Sequence, residues 1–414
     1  MASDPGLVSH AMDYDILISG AGPAGLCLAR ALCGHGLRIA VVEQQPLSAI
    51  ENPAYDGREI ALTQHSAQVL RDLGLWDRIA ADEPGAFAPL RDAQVLNGPS
   101  PFAMVIDHQL SQHSELGWLV SNHLIRRAAF RELRAAQQKH DDITLLAGEQ
   151  VARAHTDASA AHVALASGKT LSARLLVAAD SRFSATRRAL GIGADMHDFG
   201  RSMLLCTMAH ALPHHHVAWE WFGYGQTLAL LPMNDDPVTG AHRSCVVLTL
   251  PHHTLESLTD MDETAFGQDL TRRFDQRLGA MQLASTRHLY PLVGVRPHRL
   301  VAQRFACVGD AAVGMHPVTA HGFNFGLRGI ATLAGELRAA HAAGQDIAAP
   351  QLLARYERAH RRATLPLYLA TTFIARLYTT DNAPARLVRD AALRLAQNFP
   401  PFKRMVAATL SGRH

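Results

Sequence analysis

Two acid-and-glycine motifs, far apart in the chain, carry the chemistry that this sequence can do. The first is Gly20-Ala21-Gly22-Pro23-Ala24-Gly25, set between an apolar run at 15–19 and a second at 38–43 that closes on Glu43. Glycines at these spacings allow a tight turn, close approach of backbone to a pyrophosphate, and tight packing of helix on strand. An acid closing the next strand suits the hydroxyls of an adenosine ribose. The second motif is Cys307-Val308-Gly309-Asp310-Ala311-Ala312, followed by His316-Pro317 and Gly322-Phe323-Asn324-Phe325-Gly326-Leu327. An apolar strand ending in Gly-Asp places one carboxylate at the tip of a sheet, where it can accept hydrogen bonds from a sugar-like chain. The Pro and Gly beyond it build a turn into a helix whose N-terminal N–H groups can face a partly negative ring. FAD has both parts, a ribityl chain and a ring system that becomes anionic on reduction.

Three weaker features accompany them. Asp56-Gly57-Arg58-Glu59-Ile60-Ala61-Leu62 puts an arginine just before a helix expected at about 63–73, where a guanidinium contacts phosphate or the flavin edge, or simply lies on the surface. Asp180-Ser181-Arg182-Phe183-Ser184, with Arg187 beyond, places an acid at a strand end and reads, beside the other motifs, as part of a flavin and nicotinamide surface. Trp219, Trp221 and Tyr224 alternate as one face of a strand would, which suits core packing or a substrate pocket.

Other chemistries lack their residues. The consecutive His214, His215 and His216 point in different directions and make a poor metal cage, and no HExxH or Cys/His cluster has zinc spacing, so no metal is expected. There is no GxSxG nucleophile elbow. A formal net charge of +2 argues against a nucleic-acid binder, which would show a concentrated basic face. Of the 39 basic residues only Lys139, Lys169 and Lys403 are lysines, which reads as genome base composition, not as a phosphate-binding surface. Cys27, Cys33, Cys206, Cys245 and Cys307 are odd in number, widely spaced and without a CxxC, as in a reduced, intracellular protein with buried thiols. Residues 1–12 have no apolar core of a signal peptide, and no apolar run reaches the roughly 18–20 residues that span a bilayer.

The elements that must position the motifs follow from patterning. Strand, glycine turn, helix and strand ending in Glu43 form a βαβ unit. Weak alternation at 87–110 suggests strands of a second domain; a long helix at 121–138 carries Arg126; a strand at 171–179 ends at Asp180; and strand-like alternation fills 201–250, before a helix at about 264–278. The dinucleotide pattern resumes after about Tyr290, and helix is expected from 351 to the end. The fold class is therefore α/β, a Rossmann-like domain interrupted by a sheet-rich substrate domain, with a helical C-terminal region. The expected division is 13–86, 115–195 and 289–345 for the dinucleotide domain, 87–114 and 196–288 for the substrate domain, and 346–414 for the helical region.

Together these motifs resemble the class A flavoprotein monooxygenases, the aromatic hydroxylases of the para-hydroxybenzoate hydroxylase fold. Asp56-x-Arg58-x-x-Ala61-Leu62, His316-Pro317 with Gly322-Phe323-Asn324-x-Gly326-Leu327-Arg328, Tyr290-Pro291-Leu292, and Asn122 with Arg126 look like the ubiquinone-biosynthesis branch, of UbiH, UbiF and UbiM type. So does Leu228-Ala229-Leu230-Leu231-Pro232. Val313 stands where the family has His, Ser181 where it has Gly, and Gly329 where an acid is common. Ala320-His321-Gly322 replaces Gly-Gln-Gly and is similar to the UbiM-type subgroup.

The resemblance implies FAD held by Gly20, Gly22, Pro23, Ala24, Gly25 and Glu43, with Arg58, Arg126 and Asp180 along it. Gly309 and Asp310 would hold the ribityl chain, and Pro317, His321, Gly322, Phe323 and Asn324 would line the ring. Backbone N–H groups around His321 and Gly322 would stabilise charge there, next to Pro317. Trp219, Trp221, Tyr224, Leu230 and Pro232 would contact substrate. NAD(P)H and O2 would be co-substrates, and a flavin C4a-hydroperoxide would hydroxylate a polyprenylated phenol or quinol. The rivals are a same-fold flavoenzyme with another aromatic or prenyl substrate, and a catalytically silent scaffold of a quinone-biosynthesis complex. At the C-terminus, Leu387, Ala391, Leu395 and Phe399 recur at helical spacing beside Arg386, Arg389, Arg394, Lys403 and Arg404. That stripe suits a helix on an anionic membrane surface, or one docked on its own domain or on a neighbouring subunit of a homo-oligomer. The expected location is cytoplasmic, with the inner face of the membrane as a peripheral site.

Overall fold

In the computed structural model, the described residues are 12–98, 100, 103–111, 113–223, 225–315 and 322–379. Two large sheets dominate. The first is built around the parallel strands Tyr14–Ser19, Ile39–Glu43, Ile143–Ala147, Thr170–Ala178 and Phe305–Cys307, with Tyr14–Ser19 central between Thr170–Ala178 and Ile39–Glu43. Central strands buried on both faces read as unbroken apolar runs: Ile16, Leu17 and Ile18 are almost completely buried, as are Leu175, Leu176 and Val177. Helices Pro23–Leu32, Asn122–His140 and Gly322–Ala342 cover one face, with Leu26, Ile125 and Leu327 in a common core. An antiparallel pair, Val151–Thr156 with Ala161–Leu165, joins Thr170–Ala178 and helps to close the other face around Val163 and Leu171.

The second sheet has eight strands, among them Asp92–Asn97, Ala103–Ile106, Ala194–His210, Val217–Phe222, Thr227–Pro232, His242–Leu250 and His288–Pro297. Helices His252–Thr259 and Glu263–Arg273 pack on one of its faces through Leu255, Phe266 and Leu270. A small sheet of Glu59–Thr63, Gly117–Ser121 and Ala88–Leu90 is a third unit. The fold is thus α/β, with the sheet-rich part inserted between the strands of the dinucleotide-type sheet.

Two local expectations change. Arg58 precedes the strand Glu59–Thr63, not a helix; the helix Gln64–Asp72 begins one element later, where the Thr63 hydroxyl caps Ser66 N–H at 3.2 Å. The β-branched and apolar run Ile60-Ala61-Leu62-Thr63 gains a ladder with Gly117–Ser121, which local helix propensity could not announce. The helix expected at 264–278 ends at Arg273, because Asp275 and Gln276 both adopt positive φ. All five cysteines are buried and free. Among the described residues, no helix is long and apolar enough to cross a membrane. The C-terminal stripe at 383–414 lies outside the described residues.

Candidate active site

The two glycine motifs meet at the C-terminal ends of the parallel strands. Gly20 leaves the first strand with φ +107°, a conformation that side chains disfavour, and a Cβ on Gly25 would lie 1.9 Å from the Gly20 carbonyl oxygen. The turn therefore closes only with glycine at both places. Gly22, by contrast, has open space where a Cβ would be, at the start of a helix whose first turn has no side-chain cap. That is a cradle with backbone donors and a positive dipole end, as a pyrophosphate requires. Glu43 is at the end of the adjacent strand, where its carboxylate accepts from Ala21 N–H at 2.7 Å and Gln45 N–H at 2.9 Å. Gly309 approaches the same helix so closely that a Cβ on it would lie 2.6 Å from the Ala24 Cβ.

Asp310 follows in a short 3-10 turn, Gly309–Ala311, and its carboxylate accepts from Arg182 at 3.1 Å. Asp180 accepts from the Thr186 N–H and hydroxyl at 3.2 Å each through Oδ2, and its buried Oδ1 has no partner among the described residues. An open glycine cradle and an orphaned carboxylate oxygen on the same rim fit a ligand with phosphates and hydroxyls. FAD fits these residues.

The opposite bank is Arg58 and its network. Arg58 pairs with Asp56 at 2.5 Å, Asn122 donates to the same Asp56 oxygen at 2.8 Å, and the Tyr290 hydroxyl donates to the Asp56 carbonyl at 2.7 Å. Burial alone would raise the Asp56 carboxyl, but the Arg58 guanidinium and the Asn122 amide hold it below its usual range. Arg126 is half-buried on the long helix, reaches Gln45 at 3.4 Å, and adds its charge to that of Arg58 beside Glu43 and Asp56. Asn324 turns its side chain to the strand Glu59–Thr63, accepting from Thr63 N–H at 3.0 Å and donating to the Ala61 carbonyl at 2.8 Å. It fixes the start of the helix Gly322–Ala342, and Gly322 and Phe323 line the cavity there. Pro317 and His321 lie outside the described residues.

Between these motifs and the second sheet is a cavity of about 420 Å³. Its floor holds Gly22, Asp180, Gly309 and Asp310; its roof is one face of the sheet. Strand register decides which face. Leu205, Val247, Ala229 and Glu220 stand side by side across four strands, and all four line the cavity. Their neighbours Cys206, Val246, Leu230 and Trp219 form the next row, which points the other way into the core with the two helices. Trp219, Trp221 and Leu230 therefore pack away from the cavity, contrary to expectation, and Pro232 does not line it either. The Trp221 indole donates to the Gly98 carbonyl at 2.8 Å and lies 4.7 Å from the Arg277 guanidinium. Tyr224 lies outside the described residues.

Two acids were missed. Glu59, beside Arg58, is buried and accepts from the Ser121 hydroxyl, and burial pushes its carboxyl up to about 7. Glu220 faces the cavity between the two inward-packed tryptophans, and burial pushes its carboxyl up to about 8. The signal was the Trp-Glu-Trp alternation: if the indoles form the helix-covered face, the acid must stand on the other.

The comparisons with known proteins agree with this geometry. The model of the FAD binding domain family matches residues 13–366. The chain is 44% identical over 402 residues to the ubiquinone hydroxylase UbiM of Neisseria meningitidis, covering 96% of this chain and 84% of that relative. The chain belongs to the FAD-binding ubiquinone hydroxylase family. It is also 34% identical over 391 residues to the ubiquinone hydroxylase UbiL of Rhodospirillum rubrum, covering 94% of this chain and 88% of the other. Among solved structures, p-nitrophenol 4-monooxygenase PnpA from Pseudomonas putida superposes with a TM-score of 0.75 at 18% identity, over 98% of this chain and all of that one. At that identity the likeness is one of fold, and the fold is that of flavoprotein monooxygenases. As a member of this family the protein is an FAD-dependent monooxygenase.

Proposed function

We propose that this hydroxylase acts on the aromatic ring of a polyprenylated phenol or quinol intermediate of ubiquinone biosynthesis, with NAD(P)H and O2 as co-substrates. The observation that carries the reading is the cavity itself, polar where Asp180, Gly309 and Asp310 form one wall and largely apolar where Met203, Leu205, Leu231 and Val247 form the other. With the flavin on the floor of the cavity, the space left under the sheet takes no more than a ring and its first substituents, so a long prenyl chain has to leave through the mouth.

When bound, FAD would supply the redox chemistry, reduction by the nicotinamide and activation of O2 for hydroxylation of the ring. The chain supplies the rest. The Gly20–Gly25 turn and the N-terminus of the helix Pro23–Leu32 receive the pyrophosphate, and Glu43 receives the ribose. Asp310, oriented by Arg182, accepts from the ribityl hydroxyls. Arg58, steadied by Asp56, presents positive charge at the edge of the cavity. The N-terminal turn of the helix Gly322–Ala342 brings partial positive charge to the same space. The apolar roof excludes water, which would otherwise divert the oxidant to peroxide.

The substrate class also bears on location. A polyprenylated phenol resides in a bilayer, and the basic, apolar stripe at 383–414 suits a peripheral contact with an anionic membrane surface. Liposome co-sedimentation of the full chain against one ending at Asn382, at low and high salt, tests this; equal binding by both assigns any membrane role elsewhere. The central test is product analysis: FAD-loaded protein, NAD(P)H, O2 and a short-chain prenylated phenol yield a ring-hydroxylated product. Oxidation of NAD(P)H with peroxide alone, across a panel of such phenols, overturns the reading. Lipid-quinone profiling of a deletion strain then names the ring position from the intermediate that accumulates.

A further inference from the structure

Glu220 occupies an interior strand, paired with Ala229 on one side and Val95 on the other, so its side chain has no route to the edge of the sheet. The cavity face around it is mostly apolar, with Ala229, Leu231, Val247, Leu205 and Met203, and carries the neutral side chains of Thr227 and Thr249 besides. Among the described residues that this sheet contributes to the cavity, it is the one titratable group, and it makes no hydrogen bond or ion pair to another described residue. The other charged groups lining the cavity are Arg58, Glu59, Asp180, Arg182 and Asp310, which belong to the other walls, and each of them has a protein partner. A carboxyl left without a partner in such a wall costs stability, and Leu or Val there would not. What the wall gains is a proton acceptor facing the place where a phenolic ring must lie.

We propose that Glu220 is a catalytic residue of this hydroxylase, accepting the proton of the substrate's ring hydroxyl as oxygen is delivered to the adjacent ring carbon. The inference rests on the phenolic substrate proposed above. The substrate O–H bond breaks, its electron pair stays on the oxygen and flows into the ring, and a new O–H bond forms on the Glu220 carboxylate. The hydroxylated carbon then loses its hydrogen as a proton, which passes to solvent, the C–H electron pair restores the aromatic ring, and Glu220 returns its proton to the substrate oxygen. The net proton count on Glu220 is unchanged over the cycle. A carboxyl raised toward 8 by burial is matched to this task far better than an exposed one, because the gap to a phenol near 10 narrows.

The experiment uses the FAD-loaded full chain with a short-chain prenylated phenol and NAD(P)H, and compares wild type with Glu220→Gln and Glu220→Leu. In wild type the hydroxylation step rises with pH through about 8. In Glu220→Gln, flavin reduction keeps its rate, while product formation falls on the order of a hundredfold, peroxide takes up the difference, and the rise with pH disappears. Glu220→Leu keeps or raises the thermal midpoint, so its loss of product is not a loss of fold. Binding to the oxidised enzyme, without turnover, supplies the second readout. Wild type prefers the phenol to its methyl ether, and Glu220→Leu binds the two alike. If wild type hydroxylates the phenol and Glu220→Gln does so with the same yield and pH profile, Glu220 is not the acceptor and the assigned activity stands. If wild type hydroxylates none of the phenols, the substrate reading falls and this assignment falls with it.

Discussion

Arg182 and Asp310 are 128 residues apart in the chain and meet across 3.1 Å, where Arg182 Nη2 donates to Asp310 Oδ2 while its Nη1 donates to the Val293 carbonyl. The pair joins the turn after one parallel strand to the turn after its neighbour. It also fixes the direction of the carboxylate proposed above to hold the ribityl chain. Asp310→Ala is expected to lower FAD affinity by on the order of tenfold to a hundredfold, the worth of one charge-assisted hydrogen bond at about 1.5–3 kcal/mol. Flavin-to-protein ratio and a fluorescence titration of the apoprotein read this directly. Undiminished flavin content removes Asp310 from the site.

Gly25→Ala is a steric test of the first turn. The new methyl would meet the Gly20 carbonyl oxygen at 1.9 Å and the Ala179 Cβ at 3.4 Å, and Gly20 is itself hemmed in by the Ala179 carbonyl. Overpacking of this kind costs about 1–3 kcal/mol or more. The expected outcome is a lower thermal midpoint together with lost flavin, measured by differential scanning fluorimetry with and without added FAD. A variant with wild-type midpoint and flavin content shows that the turn can open without cost.

The two faces of the second sheet make opposite predictions. Ala229→Leu intrudes on the cavity and is expected to raise the substrate KM by on the order of tenfold or more, from about 1–3 kcal/mol of lost fit. Trp221→Phe loses the hydrogen bond to Gly98 and should cost about 0.5–1.5 kcal/mol of stability with KM unchanged. Steady-state kinetics and urea melts on both variants decide it. A KM effect in Trp221→Phe alone returns the indole to the substrate side.

His360 is buried against Gly329 and Tyr356, and burial lowers its imidazole to about 4, with Arg328 and Arg361 adding to the shift. Its folded-state value thus lies below its unfolded one, so the unfolded chain binds the extra proton between about 6.5 and 4. Stability is full above that window and falls as pH falls through it, by about 3 kcal/mol in all. Urea denaturation of the holoprotein at stepped pH should show this acid-side loss, and His360→Gln should make it shallower by one proton. Parallel pH curves for the two proteins would show that His360 protonates freely in the fold.

Much of the nucleotide side was legible because its constraints are local. Gly20, Gly25 and Gly309 are demanded by a positive φ or by contact with a near neighbour in the fold, and strand-end acids such as Glu43, Asp180 and Asp310 announce themselves by position. The substrate side was not, because it depends on which face of a strand meets which layer. Trp219, Trp221 and Leu230 are large and apolar, the natural choice for a pocket, but two helices packed on the sheet claim that face. Glu220 between them is the polar residue of the alternation, and only the packing of the sheet makes its face the cavity wall. Arg58 shows the same limit at shorter range: its strand exists because Gly117–Ser121 pairs with it, and nothing near it in sequence says so.

The alternation in that sheet separates two kinds of evolutionary freedom. Odd-numbered residues of 203–205, 227–231 and 247–249 touch the cavity, and the residues between them build the packed core, with Val217–Phe222 following the opposite numbering. Changes at Ala229, Leu231 or Val247 can therefore reshape what the enzyme accepts without disturbing the interior that keeps it folded. Relatives that differ in substrate should diverge along one set of positions and keep the other. An insertion of a single residue at the start of Val217–Phe222 is a different matter: it would exchange the two faces of that strand at once, burying the acid among the helices and turning the indoles into the cavity.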